Sequence, residues 1–408
     1  FQRFGEAFGK IYTPAMFALA LGVMLIPVWL FGGTWSQWFY RGLVVLVVSC
    51  SCGIALSIPV AVVAAIGNAA RNGILFKGGV HLEGAATIET VAFDKTGTLT
   101  IGRPQVTDVV PIGNHGRNEV LGLAASLESR SEHPLGEAIV RKAREEEISF
   151  SPTDAFEALV GLGAKGKVNG QEFFIGGMRL FLERNIPVEA IQPQISSLEG
   201  QGKTTVLLGN EKEVLGIIAI ADKLRSEAKE AIKKLKEIGI RQVVMLTGDN
   251  EGTAKAIARE AGVDTYFARL LPDDKVKKVK ALRFENGRIA MVGDGINDTP
   301  AMAVSDIGIA MGAAGTDIAL ETSDIALMSD DLLKLPLAFS LSRRTVKNIR
   351  QNIIISLAVI AFLVPAALAG WIGMVPGLLI NEAGGLAVIL NGLRLLRNKA
   401  QGNALKVV

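Results

Sequence analysis

The chain has 408 residues, of which 49% are hydrophobic and 20% are charged, and its mean hydropathy is +0.36. It is too apolar for an ordinary soluble protein and too charged for a protein embedded wholly in a membrane, so we expect parts in both environments. The net charge of +3 is too small to indicate nucleic acid as a partner, and the only two cysteines lie in one apolar run, which excludes a disulfide framework.

Three long stretches lack charged residues, between residues 10 and 41, 41 and 71, and 350 and 382. Each is long enough to cross a bilayer, which takes about 20 apolar residues. We predict spanning helices at 11–31, 42–67, 353–371 and 377–396. Lys and Arg crowd the helix ends on one side, so the positive-inside rule predicts that the large charged region and the C-terminus are cytoplasmic. We expect an integral protein of the plasma membrane.

The second predicted span contains small and polar residues that would interrupt it, namely Ser49-Cys50-Ser51-Cys52-Gly53 and Pro59. A spanning helix must hide such residues from lipid, against other helices or a cavity. Paired thiolates of Cys50 and Cys52 would bind soft or borderline metals such as Zn²⁺, Cd²⁺ or Cu⁺, and the alternative is that both are small packing residues. Glu382 in the fourth span is a candidate ligand or counter-charge, or else a residue at the aqueous boundary.

The charged region from 68 to 347 alternates strand-like runs with amphipathic helical stretches, which predicts a parallel, doubly wound sheet. The predicted strands are 88–93, 204–208, 214–220, 242–246 and 288–292, and the predicted helices are 226–237, 253–261 and 274–286. An inserted domain interrupts this pattern. We predict a helix pair at 1–70, an α/β domain at 71–101 and 210–345, the inserted domain at 102–209, and a second helix pair at 346–408.

The segment 93–100, Phe-Asp-Lys-Thr-Gly-Thr-Leu-Thr, follows an apolar run with strand character. A carboxylate at the C-terminal end of a strand, facing a glycine turn of N–H groups and hydroxyls, is typical of a phosphoryl-accepting nucleophile. We therefore predict that Asp94 takes a phosphoryl group from ATP. The alternative is an aspartate that caps a turn.

Later strand-like runs end in turns of the same chemistry. Residues 247–249, Thr-Gly-Asp, offer a hydroxyl and a backbone turn to phosphoryl oxygens, and Lys275 offers an ammonium. Asp294 and Asp298 follow another strand and suit Mg²⁺, a hard cation that takes few protein oxygens when it binds beside a phosphate. Each turn alone is weak evidence, but their succession in one α/β region predicts a phosphoryl-transfer site.

Several of these strings resemble the signature of one family. Residues 94–98, Asp-Lys-Thr-Gly-Thr, 247–249, Thr-Gly-Asp, and 293–298, Gly-Asp-Gly-Ile-Asn-Asp, are similar to those of the P-type ATPases. Residues 131–136, Ser-Glu-His-Pro-Leu-Gly, resemble the His-Pro motif of the heavy-metal-transporting branch. Residues 50–52, Cys-Ser-Cys, stand where that branch keeps an intramembrane Cys-Pro-Cys. The resemblance covers essentially the whole chain.

The resemblance implies a fold, two cofactors and roles for individual residues. The fold is an α/β haloacid-dehalogenase-like phosphorylation domain with an inserted α+β nucleotide-binding domain and four transmembrane helices, and the cofactors are ATP and Mg²⁺. The residues implied around the phosphoryl group are Asp94, Lys95, Thr96, Thr247, Gly248, Asp249 and Lys275. Those implied for Mg²⁺ are Asp94, Asp294 and Asp298, and those for the transported metal are Cys50, Cys52 and Glu382.

The resemblance also implies that the adenine end of ATP binds to Glu157, His133, Gly161 and Gly163. The glycines around Leu162 would let a ring approach the backbone closely, and a histidine before a proline is fixed in orientation. From the residues alone, a structural histidine and an ordinary hairpin are the alternatives.

The sequence departs from the family at the predicted metal site, where Ser51 replaces the usual proline. Residues 381–385, Asn-Glu-Ala-Gly-Gly, look similar to a pattern of the cobalt-type subgroup, whereas the patterns of the copper subgroup and the intramembrane lysine of the zinc subgroup are absent. The resemblance therefore implies ATP-driven export of a divalent metal through an aspartyl phosphate. Zn²⁺, Co²⁺ and Cd²⁺ are favoured, and Cu⁺ export is the alternative.

The family's actuator domain and earlier spanning helices have no counterpart in these residues, so we expect the chain to begin after that domain. A competing hypothesis is a membrane-anchored phosphatase of the haloacid-dehalogenase type. Such phosphatases commonly carry a second acid two residues after the nucleophile, and this chain has Thr96 there, which favours a pump. A non-catalytic metal sensor is disfavoured because Asp94, Lys275, Asp294 and Asp298 are all intact.

Overall fold

The structure is a computed structural model that describes residues 2–50, 52–131, 133–153, 155–159, 161–294, 298–312 and 321–397, with side chains for all of these except 2–8 and 52. The chain divides into two compact units. The helical unit comprises the described residues of 1–88, Asp324–Ser329 and 334–408. The α/β unit comprises those of Glu89–Ser323 and Asp330–Leu333.

Long helices form the two ends of the chain, and strands alternate with shorter helices between them. The first elements are α1 (Gln2–Phe31), α2 (Trp35–Val48), α3 (Cys52–Arg71), β1 (Ile74–Phe76), α4 (Gly79–Ala85), β2 (Thr90–Asp94), β3 (Gln105–Pro111), α5 (Arg117–Glu128) and α6 (Pro134–Glu145). Next come β4 (Glu157–Leu159), β5 (Gly163–Val168), β6 (Gln171–Gly176), α7 (Met178–Glu183), α8 (Gln192–Gly200), β7 (Thr204–Gly209), β8 (Val214–Ala221), α9 (Ala228–Glu237), β9 (Gln242–Leu246) and α10 (Glu251–Ala261). The last are β10 (Thr265–Phe267), α11 (Pro272–Asn286), β11 (Ile289–Gly293), α12 (Thr299–Val304), β12 (Ile307–Ala310), β13 (Ile325–Leu327), α13 (Lys334–Ala369) and α14 (Met374–Leu393).

Four stretches of the described chain are long and apolar enough to cross a membrane, namely Gly9–Phe31, Trp35–Arg71, Lys334–Ala369 and Met374–Leu396. The four predicted helices are confirmed in this sense. The second stretch consists of α2 and then α3, because Ser49 and Cys50 leave the helical conformation. Ser51 lies outside the described residues. The predicted interruption therefore occurs at the Ser-Cys segment, whereas Pro59 lies inside α3.

The third long helix, α13, begins at Lys334, well before the predicted start at 353. Its early turns carry a charged face that the sequence prediction read as part of the globular region. Leu335, Ala338 and Phe339 on those turns are fully buried in the protein, which explains why the helix extends this far.

Small and aliphatic side chains pack the helices of this unit. Ala20, Val44, Val48, Leu363 and Ala367 belong to one buried cluster that joins α1, α2 and α13. Small residues let spanning helices approach closely, which is the usual source of packing where water supplies no hydrophobic drive.

Three buried or half-buried asparagines in the helical unit satisfy one another. The amide nitrogen of Asn352 donates to the side-chain oxygen of Asn348 over 3.2 Å, and that of Asn391 donates to the side-chain oxygen of Asn352 over 2.8 Å. Asn348 donates in turn to the carbonyl of Asn391 over 2.9 Å. The ring of amides links α13 to α14 without leaving these donors unpaired.

The α/β unit contains a parallel sheet with the strand order β12-β11-β2-β9-β10. Its strands 242–246 and 288–292 were predicted, as were helices α9, α10 and α11, whereas the short strands β10 and β12 were not. β2 lies in the middle of these five strands, with all five of its residues buried. The C-terminal ends of β2, β9 and β11 therefore meet at one edge, where parallel sheets bind ligands.

A second sheet is antiparallel and has the order β3-β8-β7-β6-β5-β4. The prediction that runs 204–208 and 214–220 belong to the parallel sheet was wrong, because β7 and β8 pair with each other and with β6 and β3. Nearly every residue of β8 is buried because one face contacts a cluster around Ile218 and the other a cluster around Ile217. Burial on both faces gives the continuous apolar pattern that is typical of parallel strands. This sheet continues past residue 209, to Ala221.

Candidate phosphoryl-transfer site

Asp94 is the last residue of β2, so its carboxylate stands at the binding edge of the parallel sheet. It pairs in register with Leu246, and Thr247 therefore begins the turn beside it. After Asp94 the chain makes a tight turn in which Gly97 has a φ of +75°. Glycine adopts this left-handed conformation without strain, which explains the residue at the centre of the turn.

The ammonium of Lys275, on α11, lies between two carboxylates. It is 2.6 Å from Oδ1 of Asp94 and 2.8 Å from Oδ1 of Asp298. All three groups are largely removed from water, since the side chains of Asp94, Asp298 and Lys275 are 8%, 1% and 13% exposed. Residues spread over more than two hundred positions of the chain thus form one buried charged triad, which agrees with the predicted phosphoryl site.

The triad has unusual acid–base properties. Burial, together with the nearby charge of Asp298, raises the pKa of Asp94 to about 7, although Lys275 opposes the change. Burial also raises the pKa of Asp298. For Lys275, burial alone would lower the pKa, but the charges of Asp94 and Asp298 outweigh it and raise the pKa. One ammonium compensates only part of the charge of two carboxylates, so this edge can attract a further cation, and Lys275 can contact a phosphoryl group.

The turns after Asp94 and after β9 are joined by another buried ion pair. Nζ of Lys95 is 2.5 Å from Oδ2 of Asp249, and the backbone N–H of Asp249 donates to the hydroxyl of Thr247 over 3.1 Å. Thr247 itself is 1% exposed. The two predicted turns therefore contact each other through Lys95 and Asp249 and, with Thr96, form one wall of the site. Gly248 lies in the second of these turns.

Asp294 approaches the same turn from β11. A Cβ placed on Gly97 would lie 3.8 Å from Cβ of Asp294, and the charge of Asp294 contributes to the raised pKa of Asp94. Gly295, Ile296 and Asn297 of the same string lie outside the described residues. Among the residues that the structure describes, no three His, Cys, Asp or Glu side chains already form a metal-binding group.

The donor chemistry nevertheless fits Mg²⁺. Asp294 and Asp298 lie close enough to Asp94 for their charges to raise its pKa. The three carboxylates offer the hard oxygen ligands that Mg²⁺ prefers. The hydroxyl of Thr98 in the same turn is buried and has no hydrogen-bond partner among the described residues. An unpaired polar atom beside mutually repelling carboxylates is consistent with a site made for a charged group.

Arg225 was not predicted as a site residue, yet it holds the turn that follows Asp94. Its guanidinium donates over 3.0 Å to the carbonyl of Gly97 and over 3.0 Å to that of Thr98, and its backbone N–H donates over 2.9 Å to the carbonyl of Leu99. The side chain is 10% exposed and also lies 3.5 Å from Asp330. No pattern in the sequence analysis pointed to this residue.

Asp222 anchors the far end of the same turn. Its carboxylate accepts hydrogen bonds from the hydroxyl of Thr100 over 2.5 Å and from the backbone N–H groups of Gly102 and Arg103 over 3.0 and 3.2 Å. Together with Arg225, it ties the turn at both ends to the segment after β8. Asp222 therefore has a positioning role.

A cleft of about 250 Å³ leads from this wall to the antiparallel sheet. Lys95, Thr96 and Asp249 line one end, and His133 lines it together with Pro134 and Leu135. Nδ1 of His133 accepts a hydrogen bond from the backbone N–H of Leu135 over 3.2 Å, which fixes the ring at the start of α6. The structure thus brings His133 and the phosphoryl site to the same cleft.

The other three predicted adenine contacts do not line that cleft. Glu157 is exposed and pairs with Lys165 over 2.9 Å. Gly161 has a φ of +74°, and a Cβ on Gly163 would lie 2.1 Å from the carbonyl oxygen of Ile175. Both glycines are therefore required by the hairpin that contains them, whatever else they bind.

Glu128, which the sequence analysis did not single out, is the carboxylate beside the His133 turn. It is largely buried, and burial raises its pKa, while Ser131 and His133 oppose the change. Its Oε2 has no hydrogen-bond partner among the described residues and would lie 2.3 Å from a Cβ on Gly136. Glu128 lies five residues before the His-Pro pair, and no sequence motif includes it.

Comparison with known proteins places this geometry in a family. Residues 88–306 match the model of the haloacid dehalogenase-like hydrolases. The chain is 46% identical over 403 residues to a probable cadmium-transporting ATPase of Alkalihalophilus pseudofirmus, which covers 98% of this chain and 56% of that protein. It is 43% identical over 398 residues, 98% of this chain and 53% of the other, to a zinc/cadmium/lead-transporting P-type ATPase of Escherichia coli.

A solved structure agrees with this. A zinc-transporting PIB-type ATPase in its E2.Pi state has a TM-score of 0.81 and 44% identity, over 96% of this chain and 63% of that one. The chain belongs to the heavy-metal-transporting P-type ATPases. The predicted family and fold are thereby confirmed. The chain spans about half the length of the curated relatives that it matches, 56% of the first of them.

The helical unit of this P-type ATPase contains the predicted metal residues. Cys50 is exposed at the end of α2, Cys52 begins α3 with a side chain outside the described residues, and Glu382 is exposed on α14. Asn381, next to Glu382, is buried instead, and its amide nitrogen is 3.5 Å from the carbonyl oxygen of Cys50. The structure thus brings Cys50 to Asn381, the neighbour of the predicted carboxylate.

Proposed function

We propose that the protein containing this chain exports a divalent heavy metal across the plasma membrane, driven by ATP through a phosphorylated Asp94. The observation that carries the proposal is the ammonium of Lys275 held between the buried carboxylates of Asp94 and Asp298. Relatives that are named as cadmium- and zinc-transporting ATPases support the reaction class. They favour Zn²⁺ and Cd²⁺ over Cu⁺ as cargo.

The phosphoryl step follows from the triad. An oxygen of ionised Asp94 attacks the terminal phosphorus of ATP, the bond from that phosphorus to the bridging oxygen breaks, and ADP leaves with the electron pair. Lys275 stabilises the negative charge on the transferring oxygens, and the hydroxyl of Thr247 lies in the adjacent turn. When bound at Asp94, Asp294 and Asp298, Mg²⁺ supplies further positive charge beside the phosphate.

The cleft between the wall of the site and His133 is our candidate for the ATP-binding site. Its volume of about 250 Å³ is sufficient for part of a nucleotide, and it begins at Lys95 and Asp249. We propose that His133 contacts the adenine end, with Glu128 as a buried partner of that turn. Glu157, Gly161 and Gly163 remain candidates for the same end.

The cargo site that we propose lies at the break between α2 and α3. The structure holds the sulfur of Cys50 in a disulfide bond. Once reduced to thiols, Cys50 and Cys52 are the soft ligands of this site, and backbone carbonyls freed by the break add oxygen. Glu382 and Asn381 are the candidates on α14. Occupancy of this site would license phosphorylation of Asp94, which is the coupling that a pump requires.

The test is metal-dependent phosphorylation of the full-length protein with radiolabelled ATP. We expect acid-stable label in the presence of Zn²⁺ or Cd²⁺, and none with Asp94→Asn. In Cys50→Ala and Cys52→Ala, we expect labelling to lose its dependence on these metals. Co²⁺ and Cu⁺ form the comparison arms. Label that survives Asp94→Asn, or a metal preference unchanged by both cysteine variants, would contradict the proposal.

A further inference from the structure

A cavity of about 10 Å³ lies inside the helical unit, next to the break between α2 and α3. This is about the space of one water-sized sphere, so the cavity suits a single atom or ion rather than a molecule. Its walls combine three polar residues with glycines and two aliphatic side chains, namely Cys50, Ser356, Asn381, Gly53, Gly384, Gly385, Val359 and Ile360.

The hydroxyl of Ser356 is the unexplained group in this cavity. The residue is 7% exposed and its Oγ has no hydrogen-bond partner among the described residues. A serine or threonine inside a helix usually donates to a carbonyl one turn earlier. Thr345 on the same helix does so to Leu341 over 2.8 Å, and Ser57 on α3 does so to Ile54 over 2.8 Å. The hydroxyl of Ser356 donates to no carbonyl among the described residues.

Leaving a buried hydroxyl unpaired costs about 1 to 3 kcal/mol, and a lipid environment offers no water to offset it. Elsewhere in this unit the amides of Asn348, Asn352 and Asn391 satisfy one another, whereas the buried hydroxyl of Ser342 also has no partner among the described residues. Ser356 differs from Ser342 because its hydroxyl lines a cavity of atomic size.

The glycine at position 53 leaves space beside the hydroxyl of Ser356. A Cβ on Gly53 would lie 2.8 Å from Oγ of Ser356, too close for any side chain without displacement, and 3.8 Å from Cα of Gly385. A residue with a side chain at position 53 would fill the space that now separates α3 from the hydroxyl. The polar wall opposite is the carbonyl of Cys50 with the amide of Asn381, 3.5 Å apart.

We propose that Oγ of Ser356 is a ligand of the transported cation and that it helps to select the metal. It lies next to Cys50, whose sulfur is in a disulfide bond in this structure and can join the site only after reduction. The inference rests on the proposed function, because it assumes that a metal enters this unit. A neutral hydroxyl oxygen is a harder donor than a thiolate, so it favours Zn²⁺ over the softer Cd²⁺ and Cu⁺. A second thiol at this position would reverse that preference.

The test compares Ser356→Ala and Ser356→Cys with a matched control. Ser342 lies on the same helix, is 0% exposed and likewise has no hydrogen-bond partner for its hydroxyl, but it does not line the cavity. Ser342→Ala therefore controls for the loss of a buried unpaired hydroxyl from α13. Binding of Zn²⁺ and Cd²⁺ to the full-length protein is measured without ATP, by competition with a fluorescent chelator, and ATPase activity is titrated with each metal.

We expect Ser356→Ala to weaken Zn²⁺ binding on the order of tenfold, the size seen when a supporting group of a metal site is removed, and to weaken Cd²⁺ binding less. Ser356→Cys should shift the preference towards Cd²⁺, and Ser342→Ala should leave both affinities unchanged. The metal concentration for half-maximal ATPase activity should follow the binding constants. Thermal unfolding of each variant checks that it is folded.

The outcomes separate this inference from the proposed function. If the wild type binds metal, Cys50→Ala abolishes the binding and Ser356→Ala changes nothing, the inference is overturned and the export proposal stands. Equal losses in Ser356→Ala and Ser342→Ala also overturn the inference, because the effect would then be structural. If no metal binds to or stimulates the wild type, the proposed function fails.

Discussion

The edge of the parallel sheet and the cavity in the helical unit are both polar sites in buried surroundings, but they handle the cost of burial differently. At the sheet edge, Asp94, Asp298 and Lys275 are charged and hold one another in place over 2.6 and 2.8 Å. In the helical cavity, Ser356 and Asn381 are uncharged, and the hydroxyl of Ser356 has no hydrogen-bond partner within the described part of the chain. The sheet-edge site is therefore preorganised by charge compensation, whereas the cavity in the helical unit is lined by neutral groups.

The difference has a physical reason. A charge isolated from water is far more costly than an unpaired hydroxyl, so the carboxylates need a permanent partner when no phosphate is present. A neutral hydroxyl tolerates an empty site at a cost of about 1 to 3 kcal/mol. A ligand can then be released from the neutral site without exposing an uncompensated charge.

Removing the central cation should break the compensated site. We expect Lys275→Met to lower the free energy of unfolding of the α/β unit by about 3 kcal/mol at pH 8, because it leaves two buried carboxylates unpaired. Phosphorylation should be lost. Since the pKa of Asp94 is about 7 and rises further without Lys275, the destabilisation should be smaller at pH 5.5, where Asp94 is neutral. Urea unfolding at both pH values measures this.

The control for that variant is Lys277→Met, two residues along the same helix. Lys277 is 77% exposed and pairs with Asp274 over 3.2 Å, and such surface pairs contribute little. A similar loss of stability in both variants, or the same loss at both pH values, would contradict the compensated triad.

The raised pKa of Asp94 predicts a second, pH-dependent effect. Between the ordinary value of 3.8 and about 7, the folded state holds a proton that the unfolded state releases. Stability therefore falls as the pH rises through this window, by about 1 kcal/mol per pH unit at the steepest, and levels off above it. Asp94→Asn lacks the titrating group, so its stability relative to wild type should increase from pH 4 to pH 7. A constant difference across this range would rule out the pKa shift.

The turn after Asp94 should depend on Arg225. We expect Arg225→Ala to slow phosphorylation tenfold to hundredfold, the equivalent of one or two charged hydrogen bonds to the carbonyls of Gly97 and Thr98. Arg225→Lys should restore part of the rate while the affinity for ATP stays the same, because the role is positioning. Arg117→Ala, which removes only an exposed pair with Glu146, is the control. A loss of ATP affinity without a loss of rate would assign Arg225 to binding instead.

The smallest expected effect separates two candidates for the adenine end. Glu128→Ala should weaken ATP binding about tenfold, since it removes the buried carboxylate beside the His133 turn. Glu157→Ala should change it less than about twofold, because that side chain is 60% exposed and engaged only with Lys165. Calorimetric titration of ATP measures both. The reverse order would favour Glu157 as the contact.

Much of the compensated site was readable in the sequence because its parts are local. Asp94, Thr247 and Asp294 each follow an apolar run with strand character, and turns that follow parallel strands must gather at one edge of the sheet. The misassigned strands show what a sequence pattern does not predict, namely the sheet to which a strand belongs. β8 is apolar throughout because it is covered on both faces, and a pattern of burial does not reveal which sheet a strand joins.

The order of chemical groups along the chain, the long apolar helices and the interruption at Cys50 were determined by the sequence itself, because they depend on residue type and short-range periodicity. Only the tertiary structure decided that Lys275 lies between two carboxylates, that Arg225 holds the turn after Asp94, and that Ser356 faces a cavity beside Cys50. These facts depend on distances between residues far apart in the chain, which packing fixes and local pattern does not.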